Sequence, residues 1–384
     1  MELNDIQSLK DFIEKNLHSN EINDHRLLTS LRDWYYKLLV QWRLGSQFDE
    51  STFYVFENLS NLFLKISHHV TEKNLKDLLF YEPIVEQLNQ CLEEIVSHGK
   101  YLKDPGIRSL DHFLRTLQRL DYKSSKLFDN VVKCICSSSF IEIFTQSSTS
   151  QDTIEDAGQR FLLHTCTDYI YSRPTDQDHR QCFLDIRQAL LQPFSHWLTQ
   201  QSASFRLWNT RMSVILRQLC FILTFSIQNQ RSTQFDRQIL DYYCQLIDSF
   251  INILYSILQL DSHFINNKLA QSLLATITSN LSTIIYSNQL EKYLKSKHIT
   301  SIIVKLIEFD HEEIQINAFR ILSAILTEQD TKNSINTQHL TSLFIKSLNQ
   351  TVRCSNVLNC LKSKKEKKGI FFLFLLFKIS LRCN

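Results

Sequence analysis

The scarcity of glycine and proline is the feature of this sequence that most restricts its fold. The chain has 384 residues but only 5 glycines and 4 prolines, whereas average usage is roughly 7% and 5% of residues. Antiparallel barrels and sandwiches need glycine in their hairpin turns, and nucleotide-binding α/β folds need it in their phosphate loops. Helices joined by short polar connections need neither residue. Because 43% of the residues are hydrophobic, which is enough for a core, the composition favours an all-α protein.

Apolar residues recur at three- and four-residue steps along most of the chain, which is the spacing of amphipathic helices. In the segment 24–44, for example, Leu28, Leu31 and Leu38 fall on one side and Arg32 and Lys37 on the other. A single helix of this kind is marginally stable alone, so each one needs a partner surface. The pattern predicts helices at 24–44, 53–70, 83–97 with Pro83 in the first turn, 107–120, 126–144, 158–171, 179–200 with a kink or break at Pro193, 207–227 and 235–260.

Polar runs at 145–152 and 172–177 are the best candidates for interior loops, but neither is long enough to link independent domains. We therefore expect one continuous helical body over residues 1–361, with a sub-boundary near 145–157 as the alternative. The segment 362–384 differs, because a lysine-rich run precedes a run of 8 apolar residues. That run is too short to cross a bilayer, which needs ~20 residues. It indicates either contact with an anionic membrane surface or a truncated gene model that reads into non-coding sequence.

The charge balance and the cysteine content indicate which class of partner and which cellular compartment to expect. Lys and Arg total 42 and Asp and Glu total 40, with no basic stripe interleaved with exposed aromatics, so nucleic acid is not implied as a partner. The sequence opens with acidic and polar residues and shows no secretory signal. We expect the 10 cysteines to stay reduced and the protein to be cytoplasmic.

An internal repeat lies towards the C-terminal end of the chain. The segment His298-Ile-Thr-Ser-Ile-Ile-Val-Lys305 aligns without a gap with His339-Leu-Thr-Ser-Leu-Phe-Ile-Lys346, 41 residues further along. The His, Thr, Ser and Lys positions are identical, and the other positions are apolar in both copies. Each copy is therefore predicted to be a short helix with one buried face, which in the first copy consists of Ile299, Ile302, Ile303 and Leu306.

Between the two copies lies the segment Glu313-Ile-Gln-x-x-Ala-x-x-x-Leu322. Asp310 and Glu313 are spaced as a capping box at the start of this helix. Ala318 has no side chain beyond Cβ, so it can lie where two helices cross closely, with Ile321, Leu322, Ile325 and Leu326 on the apolar face. The segment 269–281 is the candidate for the equivalent long helix of the preceding unit.

The pattern Glu-[Val/Ile]-Gln-x-x-Ala-x-x-x-Leu is that of armadillo repeats, and residues 265–350 resemble this family. The segment is also similar to the armadillo-like regions of large invertebrate proteins that carry a TIR domain further downstream. The resemblance implies an armadillo/HEAT-like α-α superhelix, a right-handed solenoid of stacked short helices. Two features depart from the family. The glycine that commonly precedes the third helix is replaced by Lys297-His298 and by Gln338-His339. The asparagine ladder that grips peptides in some members has no clear equivalent, since Asn349 corresponds to Glu308.

In armadillo folds the third helices line the concave groove, so the resemblance places the polar residues of both copies on one surface. We interpret this surface as a mildly basic, hydroxyl-rich site for an acidic segment of a partner protein. The alternative is an ordinary solvated helix face whose symmetry follows from duplication. The candidate partner-binding residues are Thr300, Ser301, Lys305, Thr341, Ser342 and Lys346.

The other groups of histidine and cysteine residues are weaker candidates for a functional site. His164 and Cys166 with His179 and Cys182 could supply four zinc ligands, but the spacing fits no standard finger and both cysteines fall on apolar helix faces. Cys134 and Cys136 are two positions apart on a helix and point in different directions. His68 and His69 beside Glu72 are more typical of a solvated helix end than of a ligand or base.

Phosphate-loop, metalloprotease and serine-hydrolase motifs are absent from the sequence, which nominates no catalytic residue and no cofactor. The sequence thus predicts a non-enzymatic interaction scaffold or signalling adaptor. The alternatives are a peripheral membrane protein held by its C-terminal tail and a zinc-stabilised helical protein.

Overall fold

The structure, a computed structural model, describes residues 5–16, 25–68, 81–146, 157–173, 180–202, 210–229, 235–259, 268–309 and 311–325. Within these ranges the protein is all-α and contains no strand. The helices are α1 Ile6–Asn16, α2 His25–Arg43, α3 Glu50–Ile66, α4 Glu82–His98, α5 Ile107–Arg119, α6 Ser125–Cys136, α7 Ser138–Gln146, α8 (Ala157–Arg160, the π-helical Phe161–Cys166 and Thr167–Tyr171), α9 Arg180–Gln201, α10 Thr210–Asn229, α11 Arg237–Leu258, α12 Lys268–Ile284, α13 Asn288–Lys295, α14 Thr300–Ile307 and α15 Glu312–Ile325.

The chain divides into two compact units, Met1–Leu190 and Leu191–Asn384. In the first unit, helices two or three positions apart in sequence pack on each other. One row runs from α1 to α3 to α5 and on to α8, and a second row runs from α2 to α4 to α6. This arrangement follows from the amphipathic pattern, because each helix buries its apolar stripe against its neighbours.

An aromatic cluster joins the two rows of the first unit. Tyr35 of α2 is fully buried, and its ring stacks on Phe113 of α5 at 4.7 Å and on Phe56 of α3 at 5.6 Å between centroids. Ser109 donates a hydrogen bond to the backbone oxygen of Phe56 at 3.1 Å and lies 3.4 Å from the Tyr35 hydroxyl. Burial raises the pKa of Tyr35, so the phenol stays neutral and packs as a core residue.

The connection between α4 and α5 is held by Trp42. Its indole N–H donates to the Asp104 carboxylate at 2.9 Å, and its ring lies 4.3 Å from the ring of Tyr101. A Cβ at Gly106 would come within 2.4 Å of the indole nitrogen, so glycine is required there by close packing. The predicted helices at 83–97 and 107–120 are present as two separate helices, α4 and α5.

In the second unit the long helices α10, α12 and α15 pack in succession, and α11 contacts α12, α13 and α14. Polar side chains tie the long helices together: Thr224 of α10 donates to Asn280 of α12 at 3.1 Å, and Ser282 of α12 donates to Asn317 of α15 at 3.1 Å. These groups are buried, and unpaired they would destabilise the core, so the ties fix how the helices align.

Most of the predicted helices are present with ends within a few residues, but the segment 126–144 is not a single helix. It breaks at Ser137, which adopts an extended conformation and accepts a hydrogen bond from the Phe140 amide at 3.2 Å. Ser137 therefore begins a new helix as an N-cap. The predicted loop at 145–152 starts later, because α7 continues through Gln146.

Two further predictions concern α9 and the division of the chain. The helix continues through Pro193 without a break. The division between the two compact units falls at Leu190 and Leu191, within the sequence of α9. The alternative sub-boundary near 145–157 stays a prediction. One body over 1–361 remains a prediction, and the segment 362–384 lies outside the described residues.

Ala318 tests the packing of α15 against its neighbours. Its side chain is fully buried, whereas Ala324 on the same helix is half-buried. We expect Ala318→Leu to lower the free energy of unfolding by about 1–3 kcal/mol, because extra methylene groups must be forced into a packed interface. Ala324→Leu, the same change at the more accessible position, should lower the free energy of unfolding by less. Urea unfolding of both variants followed by circular dichroism measures the difference, and equal losses would contradict the assigned packing.

Candidate functional site

The first copy of the repeat forms α14, and its apolar face is buried as predicted. Ile299, Ile302, Ile303 and Leu306 are each at most 3% exposed. On the other side Ser301 and Lys305 are exposed, and Thr300 is half-buried at the first helical position. Because Ser301 and Lys305 are four residues apart, they share one face of the helix.

The second copy, with Thr341, Ser342 and Lys346, lies outside the described residues. The same holds for Asp310, the proposed capping residue, and for Leu326. Of the predicted partner-binding set, the structure therefore brings together Thr300, Ser301 and Lys305. Lys305 forms no ion pair with a described residue, which leaves its ammonium group accessible at the surface.

Gln315 connects α15 to the end of α14. Its side-chain amide donates to the backbone oxygens of Ile307 at 3.1 Å and Phe309 at 2.6 Å. These carbonyls lie at or just beyond the C-terminus of α14, where helical partners are missing. The glutamine of the Glu-Ile-Gln pattern thus sets how the two helices meet, and the buried Ile314, Ala318, Ile321, Leu322 and Ile325 fill the interface.

His298, one of the two residues at the position where armadillo repeats commonly have glycine, has a positive φ of 50°. This left-handed conformation is costly for a residue with a Cβ and free of that cost for glycine. The connection into α14 therefore keeps the glycine-type backbone although the glycine is absent.

The backbone at His298 gives a stability test. We expect His298→Gly to keep or raise the free energy of unfolding, by up to about 1 kcal/mol, because the strain is relieved while the unfolded chain gains freedom. Ser296→Gly is the matched control: Ser296 has φ −68° and is exposed, so glycine there should lower stability by about 0.5–1 kcal/mol. Thermal unfolding followed by circular dichroism compares the two, and a larger loss at His298 would contradict this account.

The three candidate zinc ligands that the structure describes, His164, Cys166 and Cys182, do not form a metal-binding group. Cys166 is fully buried and burial raises its pKa well above the usual value. Cys182 is half-buried and its thiol donates to Asp129 at 3.3 Å; burial and this carboxylate raise its pKa to about 12. Zinc binds the thiolate, which both environments disfavour. His164 is half-buried in the π-helical turn, and His179 lies outside the described residues.

The remaining candidates behave as structural groups. Cys134 is fully buried with its thiol 3.6 Å from the Leu92 oxygen, and burial raises the pKa of Cys136 to about 12. His68 is exposed just beyond the end of α3. In the described ranges no group of three or more histidine, cysteine or acidic side chains is arranged to hold a metal ion.

The most tightly built charged cluster was not predicted. Asp111 lies on the inner side of α5 with its carboxylate 1% exposed. Arg160 contacts it at 2.8 Å and Arg115 at 3.4 Å, and the Thr165 hydroxyl also donates to it. Arg115 in turn donates to Thr165 at 3.1 Å. Asp111 thus links α5 to the π-helical turn of α8 through charge-assisted hydrogen bonds.

One signal in the sequence could have found this cluster. Asp111 follows Leu110 and precedes Leu114 by three residues, so it borders the apolar face of an amphipathic helix. A carboxylate at such a position is rarely buried unless it is paired. Helical spacing indicates Arg115, four residues further along, as one partner. It could not indicate Arg160 and Thr165, which are 49 and 54 residues away in sequence.

No protein-family model matches the chain, and no curated protein matches it. In the part of the chain that the structure describes, no helix combines the length and the apolar character needed to cross a bilayer.

Proposed function

We propose that this protein is a non-enzymatic protein–protein interaction scaffold built on an armadillo-like solenoid. The observation that carries the proposal is the packing of helices two or three positions apart in sequence. In the first unit it gives the rows α1–α3–α5–α8 and α2–α4–α6, and in the second unit the succession α10–α12–α15. Such stacking is typical of repeat proteins, in which each unit contacts only its neighbours.

The proposed repeat unit is supported by the local structure around α14 and α15. The helix of the preceding unit, predicted at 269–281, is part of α12 and packs directly on α15. Gln315 and Ala318, two positions of the armadillo pattern, connect α15 to α14 and fill the buried interface. Both positions therefore have the structural roles that a repeated helical unit requires.

The proposed mechanism is recognition of protein segments along a fixed surface. Stacked helices present one exposed face per unit at regular intervals, so several weak contacts can act together. In the second unit the face consists of Ser301 and Lys305, with Thr300 beside them; Thr341, Ser342 and Lys346 extend it in the proposal. An acidic segment of a partner protein fits this hydroxyl-rich, positively charged face.

We also propose a cytoplasmic location, on the basis of the cysteines. Those that the structure describes are Cys91, Cys134, Cys136, Cys166, Cys182, Cys220 and Cys244, and all are free thiols. Unpaired cysteines packed as small apolar residues are typical of a reducing compartment.

Small-angle scattering tests the solenoid. A compact globule of this length would have a radius of gyration of about 21 Å. We expect a clearly larger value and an asymmetric distance distribution, because stacked helical units extend in one direction. The measurement should use the monomer peak from size exclusion, since association also increases the radius. A monomer value near 21 Å would overturn the solenoid.

Charge reversal tests the partner-binding surface. We expect Lys305→Glu/Lys346→Glu to weaken binding of partners recovered by affinity capture about tenfold, since two attractive contacts become repulsive. The control is Lys292→Glu, which reverses an exposed lysine on α13. Quantitative mass spectrometry of captured proteins gives the comparison. Unchanged partner binding in the double variant would remove Lys305 and Lys346 from the proposed surface.

A further inference from the structure

The cluster around Asp111 carries more positive charge than its structural role requires. A single carboxylate, 1% exposed, faces two guanidinium groups, those of Arg115 and Arg160. The carboxylate neutralises one of them, so one positive charge remains. The side chains of Arg115 and Arg160 are 36% and 34% exposed, so this charge is at the surface and not enclosed.

The two arginines of the cluster also have N–H donors that form no hydrogen bond with a described residue. Arg160 contacts Asp111 through Nη2, and Arg115 contacts Asp111 and Thr165 through Nε. A guanidinium carries five N–H donors, so most donors of the pair have no partner among the described residues. Two buried nitrogens of the cluster, Arg160 Nε and His112 Nδ1, are likewise unpartnered in that part of the chain. Burial lowers the pKa of His112, against the opposing effect of Asp111, so the imidazole adds no charge at neutral pH.

The cluster continues along the outer face of α5. Arg108, Arg115 and Arg119 are seven and four residues apart, the spacing of one helix face. Arg108 lies 3.5 Å from Glu57 and is 48% exposed. Arg119 is exposed and forms no ion pair with a described residue. We name Arg108, Arg115, Arg119 and Arg160 the arginine stripe.

The second row of the same unit has more acidic residues, so the excess of arginine on α5 is not a general property of this surface. There α4 carries four glutamates, Glu82, Glu86, Glu93 and Glu94. Lys126 of α6 pairs with Glu86 at 2.9 Å, and Glu94 contacts both Arg43 of α2, at 3.1 Å, and Lys100. The four carboxylates offset the cations of this row, so an acidic ligand would gain less by binding there.

We propose that the arginine stripe binds an acidic protein segment, with Arg115 and Arg160 holding one carboxylate side chain and Arg108 and Arg119 contacting its neighbours. Asp111 positions the central pair before the ligand arrives, which reduces the ordering cost of binding. The single residual charge of the pair matches a monovalent carboxylate better than a phosphate dianion. From Arg108 to Arg119 the helix rises ~16 Å, the length of about five residues of extended peptide.

The inference rests on the proposed protein-binding role but uses a different surface. It depends on the first unit, whereas the proposed face with Ser301 and Lys305 belongs to the second. If the variants at one surface do not weaken binding, the proposal for that surface is wrong, and the proposal for the other surface is still tested by its own variants.

A fluorescein-labelled hexaglutamate peptide tests the arginine stripe. We expect an anisotropy increase with the full-length protein at about 50 mM salt, its loss near 1 M salt, and no response with hexaglutamine, since the attraction is electrostatic. Arg115→Gln/Arg119→Gln should weaken hexaglutamate binding at least about fivefold, through the loss of two charge contacts. Arg237→Gln, which alters an exposed arginine of the second unit, should leave binding unchanged.

Two controls keep the test decisive. Circular dichroism verifies that each variant is folded. If the double variant is not folded, the single variant Arg119→Gln replaces it in the binding test, because this exposed side chain forms no ion pair with a described residue. Hexaglutamate binding that survives the variants, or is absent from the start, would overturn the proposal. A uridine dodecanucleotide bound more tightly than hexaglutamate, or displacement of the peptide by low millimolar inorganic phosphate, would also overturn it in favour of a phosphate ligand.

Discussion

Burial of apolar helix faces against helices two or three positions away is the interaction on which the rest of this structure depends. Most of the stability of a helix in a protein comes from packing of its amphipathic face, and here the apolar stripe supplies the surface that neighbouring helices cover. In the first unit the cluster of Tyr35, Phe56 and Phe113 joins both rows, and aromatic pairs of this kind contribute about 0.5–1.5 kcal/mol each beyond their area. Only after this burial do the exposed faces acquire fixed positions, which binding surfaces require.

Polar groups inside this apolar arrangement decide where the helices end and how they align. Ser137 divides a continuous apolar pattern into two helices because its hydroxyl accepts a hydrogen bond from the amide of Phe140. Gln315 satisfies carbonyls at the end of α14, and Asp111 binds two arginines from two helices. These contacts add little net energy compared with burial, but an unmade one would leave a buried group without a partner. These polar contacts act mainly by excluding other helix ends and other alignments of neighbouring helices.

Helical periodicity predicted the fold class and most helices because it depends only on residues three and four positions apart. The apolar face of α14 and the burial of Ala318 are of this kind. The break at Ser137 was missed because serine is common both inside helices and at their first position, and only the extended backbone distinguishes the two. Three residues of the arginine stripe, Arg108, Arg115 and Arg119, share one helix face and have the local spacing that a sequence shows. The sequence could not add Arg160, because this residue meets Asp111 across 49 residues, a separation that no local pattern encodes. The positive φ at His298 was not predicted, because a histidine does not by itself indicate a left-handed backbone.

The hydrogen bonds from Thr224 to Asn280 and from Ser282 to Asn317 have a mechanical consequence. Sliding one long helix past the next by a single turn would move these partners ~5.4 Å apart, well beyond hydrogen-bonding distance. Purely apolar faces would tolerate such a shift much better, because one leucine contact can replace another. When a bound partner pulls on the second unit, α10, α12 and α15 should therefore resist shear as a single block.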